Sequence, residues 1–142
     1  MPATMLESTN FPGFFIRHHN FEGELNEYEP SKGQDYQFEI VSKGDGGRVS
    51  LKSVNFPNRL LRHKNFRLLL EEAPADGPER QLFDKDSTFF LEVGLADIDG
   101  FSFRSTNFPD HYIRHFNFHL FIGKKDSENL NADATFLKRP PK

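Results

Sequence analysis

Ser105 to Phe118 reads S-T-N-F-P-D-H-Y-I-R-H-F-N-F, and the chain writes this stretch three times. Ser8 to Phe21 reads S-T-N-F-P-G-F-F-I-R-H-H-N-F, and Ser53 to Phe66 reads S-V-N-F-P-N-R-L-L-R-H-K-N-F. Eight positions are identical in all three: the opening Ser, Asn, Phe and Pro, the central Arg-His, and the closing Asn-Phe. A ninth is always aliphatic, at Ile16, Leu61 and Ile113. Periodicity this dense decides the fold before any local propensity does.

Around each copy the chain reads as short strands broken by turns. Asn10-Phe11-Pro12-Gly13 is a turn, because Pro fixes its own φ and Gly permits an unusual one. Phe14 to His18 is β-rich and too short for a helix, and Phe21 to Leu25 follows a second turn at His19-Asn20. Asp35 to Val41 alternates with period two after a polar loop. The second copy repeats this order in Val49–Ser53, Arg59–His63, Phe66–Leu70 and Asp86–Leu91, with a long charged loop from Glu71 to Lys85. The third does so in Phe101–Ser105, His111–His115, Phe118–Ile122 and Asp133–Leu137.

Four short strands from each of three copies predict an all-β protein of the β-trefoil class, a six-stranded barrel capped by three hairpins. A three-bladed propeller is the weaker alternative, since propellers use at least four blades. At 142 residues the expectation is one domain spanning 1–142, with repeats near 1–47, 48–97 and 98–142. Phe accounts for 17 residues while the hydrophobic share is only 36%, so aromatic side chains are expected to carry much of the core. Ile16, Leu61 and Ile113, with Phe38, Phe89 and Phe136, are the core candidates. Asn10-Phe11-Pro12 and its copies read as turn-formers. Arg17, Arg62 and Arg114 sit one residue from the aliphatic, on the opposite face, and read as making a surface ion pair or a hydrogen bond to a loop carbonyl.

Composition narrows the function. Net charge is −3 with acids and bases interspersed, and no basic stripe follows a phosphate backbone, so nucleic acid is not expected as a partner. No apolar run approaches membrane-spanning length, and no membrane partner is expected. Cys is absent, and M-P-A-T-M-L-E-S has no apolar core behind a basic start. The chain as written is therefore expected in the cytoplasm, or outside the cell if cut from a larger secreted enzyme.

Two ionisable residues recur with the motif. His18, His63 and His115 close the second strand of each copy, and Asp35, Asp86 and Asp133 open the fourth. Strands do not need either residue, and Asp is depleted in them. One reading is three equivalent polar sites. The other is that each Asp caps its strand and each His fills a gap with one hydrogen bond. Two such ligands are too few for a closed zinc site, and no cofactor is expected. A glycosidase needs two carboxylates about 5–9.5 Å apart, whereas these aspartates are expected in separate pockets with no second acid recurring beside each. The expectation is a binder and not an enzyme.

The motif S-x-N-F-P-x-x-Y-[IL]-R-H-x-N-F followed by D-A-T-F resembles the family 42 carbohydrate-binding modules of fungal arabinofuranosidase B enzymes. The third copy carries it most fully, in Tyr112-Ile113-Arg114-His115 and Asp133-Ala134-Thr135-Phe136. The resemblance implies a β-trefoil with up to three shallow pockets for terminal arabinofuranose side chains of arabinoxylan or arabinan. It implies His115 with Asp133, His63 with Asp86, and His18 with Asp35 as the sugar-binding pairs. Tyr112 would wall the third pocket and Phe15 the first, while Leu60 leaves the second without a ring. The first copy departs furthest from the motif, and its pocket is the one expected to be altered or silent. A carbohydrate-binding module or a free-standing lectin is thus the leading expectation. A β-trefoil protein-interaction domain, presenting the acidic segment Glu71 to Lys85, is the alternative.

Overall fold

Each closing Asn-Phe pair reverses the chain through a two-residue turn with positive φ at both positions: 53° and 61° at Asn20-Phe21, 51° and 66° at Asn65-Phe66, and 51° and 64° at Asn117-Phe118. Such turns match the twist of the strands they join. Asn tolerates this backbone, but Phe pays a steric penalty of about 1–2 kcal/mol there. The Phe carbonyls show what the conformation achieves. Phe21 O accepts from Leu70 N at 2.8 Å, Phe66 O from Ile122 N at 2.9 Å, and Phe118 O from Leu25 N at 2.9 Å. Each hairpin tip is hydrogen-bonded to the next hairpin in a closed cycle.

The computed structural model describes residues 2–142. The hairpins are β2 (Phe14–His19) with β3 (Glu22–Glu27), β6 (Arg59–Lys64) with β7 (Arg67–Glu72), and β10 (His111–Phe116) with β11 (His119–Lys124). Six further strands are β1 (Ala3–Ser8), β4 (Phe38–Ser42), β5 (Arg48–Ser53), β8 (Phe89–Val93), β9 (Phe101–Ser105) and β12 (Phe136–Arg139). These six pair antiparallel in the order β1–β4–β5–β8–β9–β12 and back to β1. The ring closes on itself and leaves no free edge. Short pairings tie the hairpins to it, at Glu7↔Phe15, Lys52↔Leu60 and Arg104↔Tyr112.

The core candidates Ile16, Leu61, Ile113, Phe38, Phe89 and Phe136 are all fully buried in one cluster. Burying each contributes roughly 1.5–3 kcal/mol. Aliphatic residues dominate this cluster, however, with Phe103 the only further Phe among its buried members. Much of the Phe content is at the surface instead: Phe11, Phe21, Phe56, Phe66, Phe108, Phe116 and Phe118 are exposed. Aromatic residues still supply the largest fully buried side chains among the described residues, Tyr36, Phe38, Phe83, Phe89, Phe103 and Phe136, so they carry much of the core as expected.

The segments before the fourth strands are partly helical, where the sequence reading had loops. A 3-10 segment spans Pro30–Tyr36, α1 spans Gly77–Asp86, and α2 spans Leu130–Asp133. In α1, Pro78 stands in the first turn with Glu79, and Lys85 lies in the last. Those charges suit the helix dipole. Asp35, Asp86 and Asp133 therefore do not open the fourth strands. Each lies three residues before one, near or at the end of a helical segment.

Candidate functional site

The second strand of each copy is covered on both faces. Phe15, Ile16, Arg17 and His18 are all buried, as are Leu61, Arg62 and His63, and Tyr112 through His115. Period-two alternation puts Ile16 and His18 toward one side and Arg17 toward the other. The helical segment that follows each hairpin covers that second side, so the arginines are not surface groups. Each Arg Nε donates to the carbonyl of the following His, at 3.1, 3.0 and 3.2 Å for Arg17, Arg62 and Arg114. Each then extends its guanidinium to the Asp of its own copy. Arg17 Nη2 donates to Asp35 Oδ2 at 3.0 Å and Arg62 Nη2 to Asp86 Oδ2 at 2.5 Å, and Arg114 Nη2 donates to Asp133 Oδ2.

The other carboxylate oxygen belongs to a residue from the neighbouring copy. Asn55 Nδ2 donates to Asp35 Oδ1 at 2.8 Å, Asn107 to Asp86 at 2.8 Å, and Asn10 to Asp133 at 2.7 Å. The Asn side-chain oxygens face the histidines, with Oδ1 to Nε2 separations of 2.9 Å for His18–Asn55, His63–Asn107 and His115–Asn10. Because the Asn amide donates to the carboxylate, its oxygen must accept, and the His proton is fixed on Nε2. Ser53, Ser105 and Ser8 also donate to these oxygens, at 3.0, 3.1 and 2.9 Å.

The expected His–Asp pairs are brought together, with Nε2 to Oδ1 distances of 3.6 Å for His18–Asp35 and 3.5 Å for both His63–Asp86 and His115–Asp133. Asn10, Asn55 and Asn107 do form turns, yet they also bridge each pair. That role escaped the sequence reading, which expected an ion pair or a carbonyl hydrogen bond for each Arg but neither its burial nor its Asp partner. Burial pushes the His63 and His115 pKa values down, against the raising effect of the nearby carboxylates. Both imidazoles are therefore neutral at pH 7. Each carboxylate accepts one Arg and one Asn hydrogen bond, and about four lone-pair sites leave room for two hydroxyl donors.

The aromatic candidates are placed differently. Phe15 is 2% exposed and is enclosed with Met5 and Tyr36, with Tyr28 packed alongside. Its ring has no free face, and this corrects its expected role as a pocket wall. Tyr112 is buried against Leu130 and Ala134.

The three networks differ in access. The Asp35 side chain is 22% exposed, Asp133 13% and Asp86 only 6%. A cavity of about 610 Å³ opens over Asp35 and Asn55. Over the second network, α1 places Phe83 beneath itself, and the Arg62 guanidinium stands 5.3 Å from that ring. Glu71 also holds Arg62, at 2.8 Å.

The family model described as the alpha-L-arabinofuranosidase B (ABFB) domain matches residues 2–91 and 26–138. The chain is 37% identical over 70 residues to an alpha-L-arabinofuranosidase B of Aspergillus niger, which covers 43% of this chain and 14% of that enzyme. A second, from Aspergillus kawachii, is 38% identical over 65 residues, or 39% of this chain and 13% of the enzyme. Among solved structures, an arabinofuranosidase complexed with arabinofuranosyl-alpha-1,2-xylobiose superposes with a TM-score of 0.82 at 22% identity, over 99% of this chain and 31% of that one. A Polyporus squamosus lectin superposes at 0.71 with 7% identity, over 98% of this chain and 49% of the lectin. These structural likenesses concern the fold. The chain spans less than a third of the arabinofuranosidases it resembles, and on the sequence match it belongs to the alpha-L-arabinofuranosidase B (ABFB) domain family, the family 42 carbohydrate-binding region of those enzymes.

Proposed function

We propose that this chain is a single, non-catalytic β-trefoil domain that binds terminal arabinofuranose side chains of arabinoxylan or arabinan, at up to three Asp-centred sites. One observation carries the reading: each motif copy ends in a carboxylate fixed by Arg and Asn, with acceptor capacity left for ligand hydroxyls. A carboxylate can accept from two adjacent hydroxyls, and charge-assisted bonds of this kind are the stronger class. His18, His63 and His115 hold the Asn bridge, and Asp35, Asp86 and Asp133 face the sugar. The arabinofuranosidase solved with arabinofuranosyl-xylobiose supports the sugar class. Where a larger enzyme carries the domain, its place is outside the cell.

One monosaccharide makes few contacts, so the affinity per site is about millimolar, roughly −4 kcal/mol. Three weak sites on one rigid body gain avidity on a branched glycan. Titration with arabinose, arabinofuranosyl oligosaccharides and arabinoxylan tests the reading. Saturable binding that weakens in the aspartate variants is expected. No saturable binding to any of these, with Asp35→Ala, Asp86→Ala and Asp133→Ala all behaving as the parent, removes it.

A second reading has its own observation in the exposed pairs Phe21–Phe56, Phe66–Phe108 and Phe11–Phe118, with ring centroids 5.3, 5.6 and 5.7 Å apart. A protein partner seated on these rings would be retained after removal of all three aspartates.

A further inference from the structure

The three networks share their bonds but not their surroundings, and two lysines line the cavity over the first. The cavity over Asp35 and Asn55 is lined almost wholly by polar groups, including Lys32, Gln34, Gln37 and Lys142. Its volume of about 610 Å³ falls in the range of roughly 300–1,000 Å³ that holds ligands larger than one sugar ring. The Lys142 ammonium rests on rings, 5.3 Å from the Phe15 centroid and 5.1 Å from that of Tyr28. Lys32 is exposed at the cavity edge. Asp35 is neutralised by Arg17 at 3.0 Å, and the exposed Glu29 lies 3.8 Å from the same guanidinium. With Arg17 occupied by these two carboxylates, the cations left facing the cavity are Lys32 and Lys142.

Around the other two the cations are held differently. At the second, Arg62 faces both Glu71 and Asp86. Near the third, Lys125 lies along α2 and its ammonium donates to Asn131 at 2.9 Å.

We propose that the first site takes a uronate-bearing saccharide, with neutral-sugar hydroxyls on Asp35 and the uronate carboxylate on Lys32 and Lys142. This rests on the carbohydrate-binding reading and adds the charge and length of the ligand. Gln34 and Gln37 line the same cavity and offer amide donors to the sugar between the two ends. The carboxylate gains attraction from two partly exposed ammonium groups, so the effect is modest and screened by salt.

The test is calorimetric titration of the chain with an arabinofuranosyl oligosaccharide carrying one uronic acid, beside the same compound with its carboxyl reduced to the alcohol. The acidic form is expected to bind about fivefold tighter. That preference should vanish in the Lys32→Gln/Lys142→Gln variant and shrink at about 0.5 M salt. Equal binding of the two forms overturns the proposal, as does a preference that survives the double substitution. If the reduced and neutral compounds still bind in those cases, the carbohydrate-binding reading stands without it. If no compound binds and Asp35→Ala changes nothing, both fall.

Discussion

Asn55 donates its side-chain amide to Asp35 at 2.8 Å across the junction between the first and second copies of the motif. Asn107 and Asn10 make the same link to Asp86 and Asp133, so the third copy is fastened back to the first. Each Asn satisfies a carboxylate with its nitrogen and an imidazole with its oxygen. One side chain therefore fixes the rotamer of the Asp and the tautomer of the His.

Replacing Asn107 by Leu removes the donor to Asp86 and the acceptor for His63 together. Both partners are buried, and stranding buried polar groups costs about 1–3 kcal/mol each. Chemical denaturation should show Asn107→Leu less stable by at least that amount. Asn107→Asp should also destabilise, because it sets a second carboxylate beside Asp86. A neutral result for both would make the bridge irrelevant to stability.

The arginines give a graded prediction. Removing one partner of a buried ion pair costs about 3–5 kcal/mol, while an exposed pair contributes at most about 1 kcal/mol. Asp86 is the least exposed of the three carboxylates and Asp35 the most. Loss of stability should therefore follow Arg62→Ala, then Arg114→Ala, then Arg17→Ala. Urea midpoints in any other order would break the link between access and energy.

What the sequence disclosed and what it withheld have one physical cause. Ile16, Leu61 and Ile113 read as core because burial of an aliphatic group needs only a nearby apolar face. The first hairpin turn reads as His19-Asn20 and lies one residue later, at Asn20-Phe21, because nothing in a Phe signals the positive φ it adopts there. Arg17, Arg62 and Arg114 read as lying at the surface because alternation tells which face a residue occupies and not what covers that face. The cover over Arg62 is α1, whose opening Asp76-Gly77-Pro78-Glu79 has a helix start within a charged loop. The Asn residues were hidden by their own competence as turn-formers. A turn explains Asn10 fully until Asp133 is seen beside it, 123 positions away.

Stability should fall in mild acid, and the sign follows from the histidines. His63 and His115 have folded-state pKa values below the ordinary 6.5, chiefly through burial. Above about pH 6.5 both states are neutral, and these groups add no pH dependence. As pH falls below that value the unfolded chain binds protons that the folded chain refuses. Stability is then lost until pH passes below the folded-state values, where the dependence flattens. Denaturation midpoints at pH 7.5 and 5.5 check this, and His63→Gln/His115→Gln should reduce the difference. An unchanged midpoint in the parent chain would contradict the burial of these rings.

The three sites should not contribute equally to binding. The motif is least well kept in the first copy, which made its pocket the one expected to be silent. Access argues the reverse. Asp35 is the most exposed of the three carboxylates and opens on the polar cavity, whereas Asp86 is 6% exposed at the C-terminal end of α1, with Arg62 also held by Glu71. A ligand hydroxyl reaching Asp86 would have to displace packing around Phe83 before any hydrogen bond formed, and the bond returns only about 1.5–3 kcal/mol for a charged acceptor. Asp35→Ala should therefore weaken binding to arabinofuranosyl oligosaccharides more than Asp133→Ala, and Asp86→Ala should change it least. NMR titration resolves the sites separately, with saturating shifts expected around Gln34 and Gln37 and small ones around Phe83. Equal shifts at all three sites would mean that α1 opens readily, and access in the free chain would then not decide which carboxylates bind.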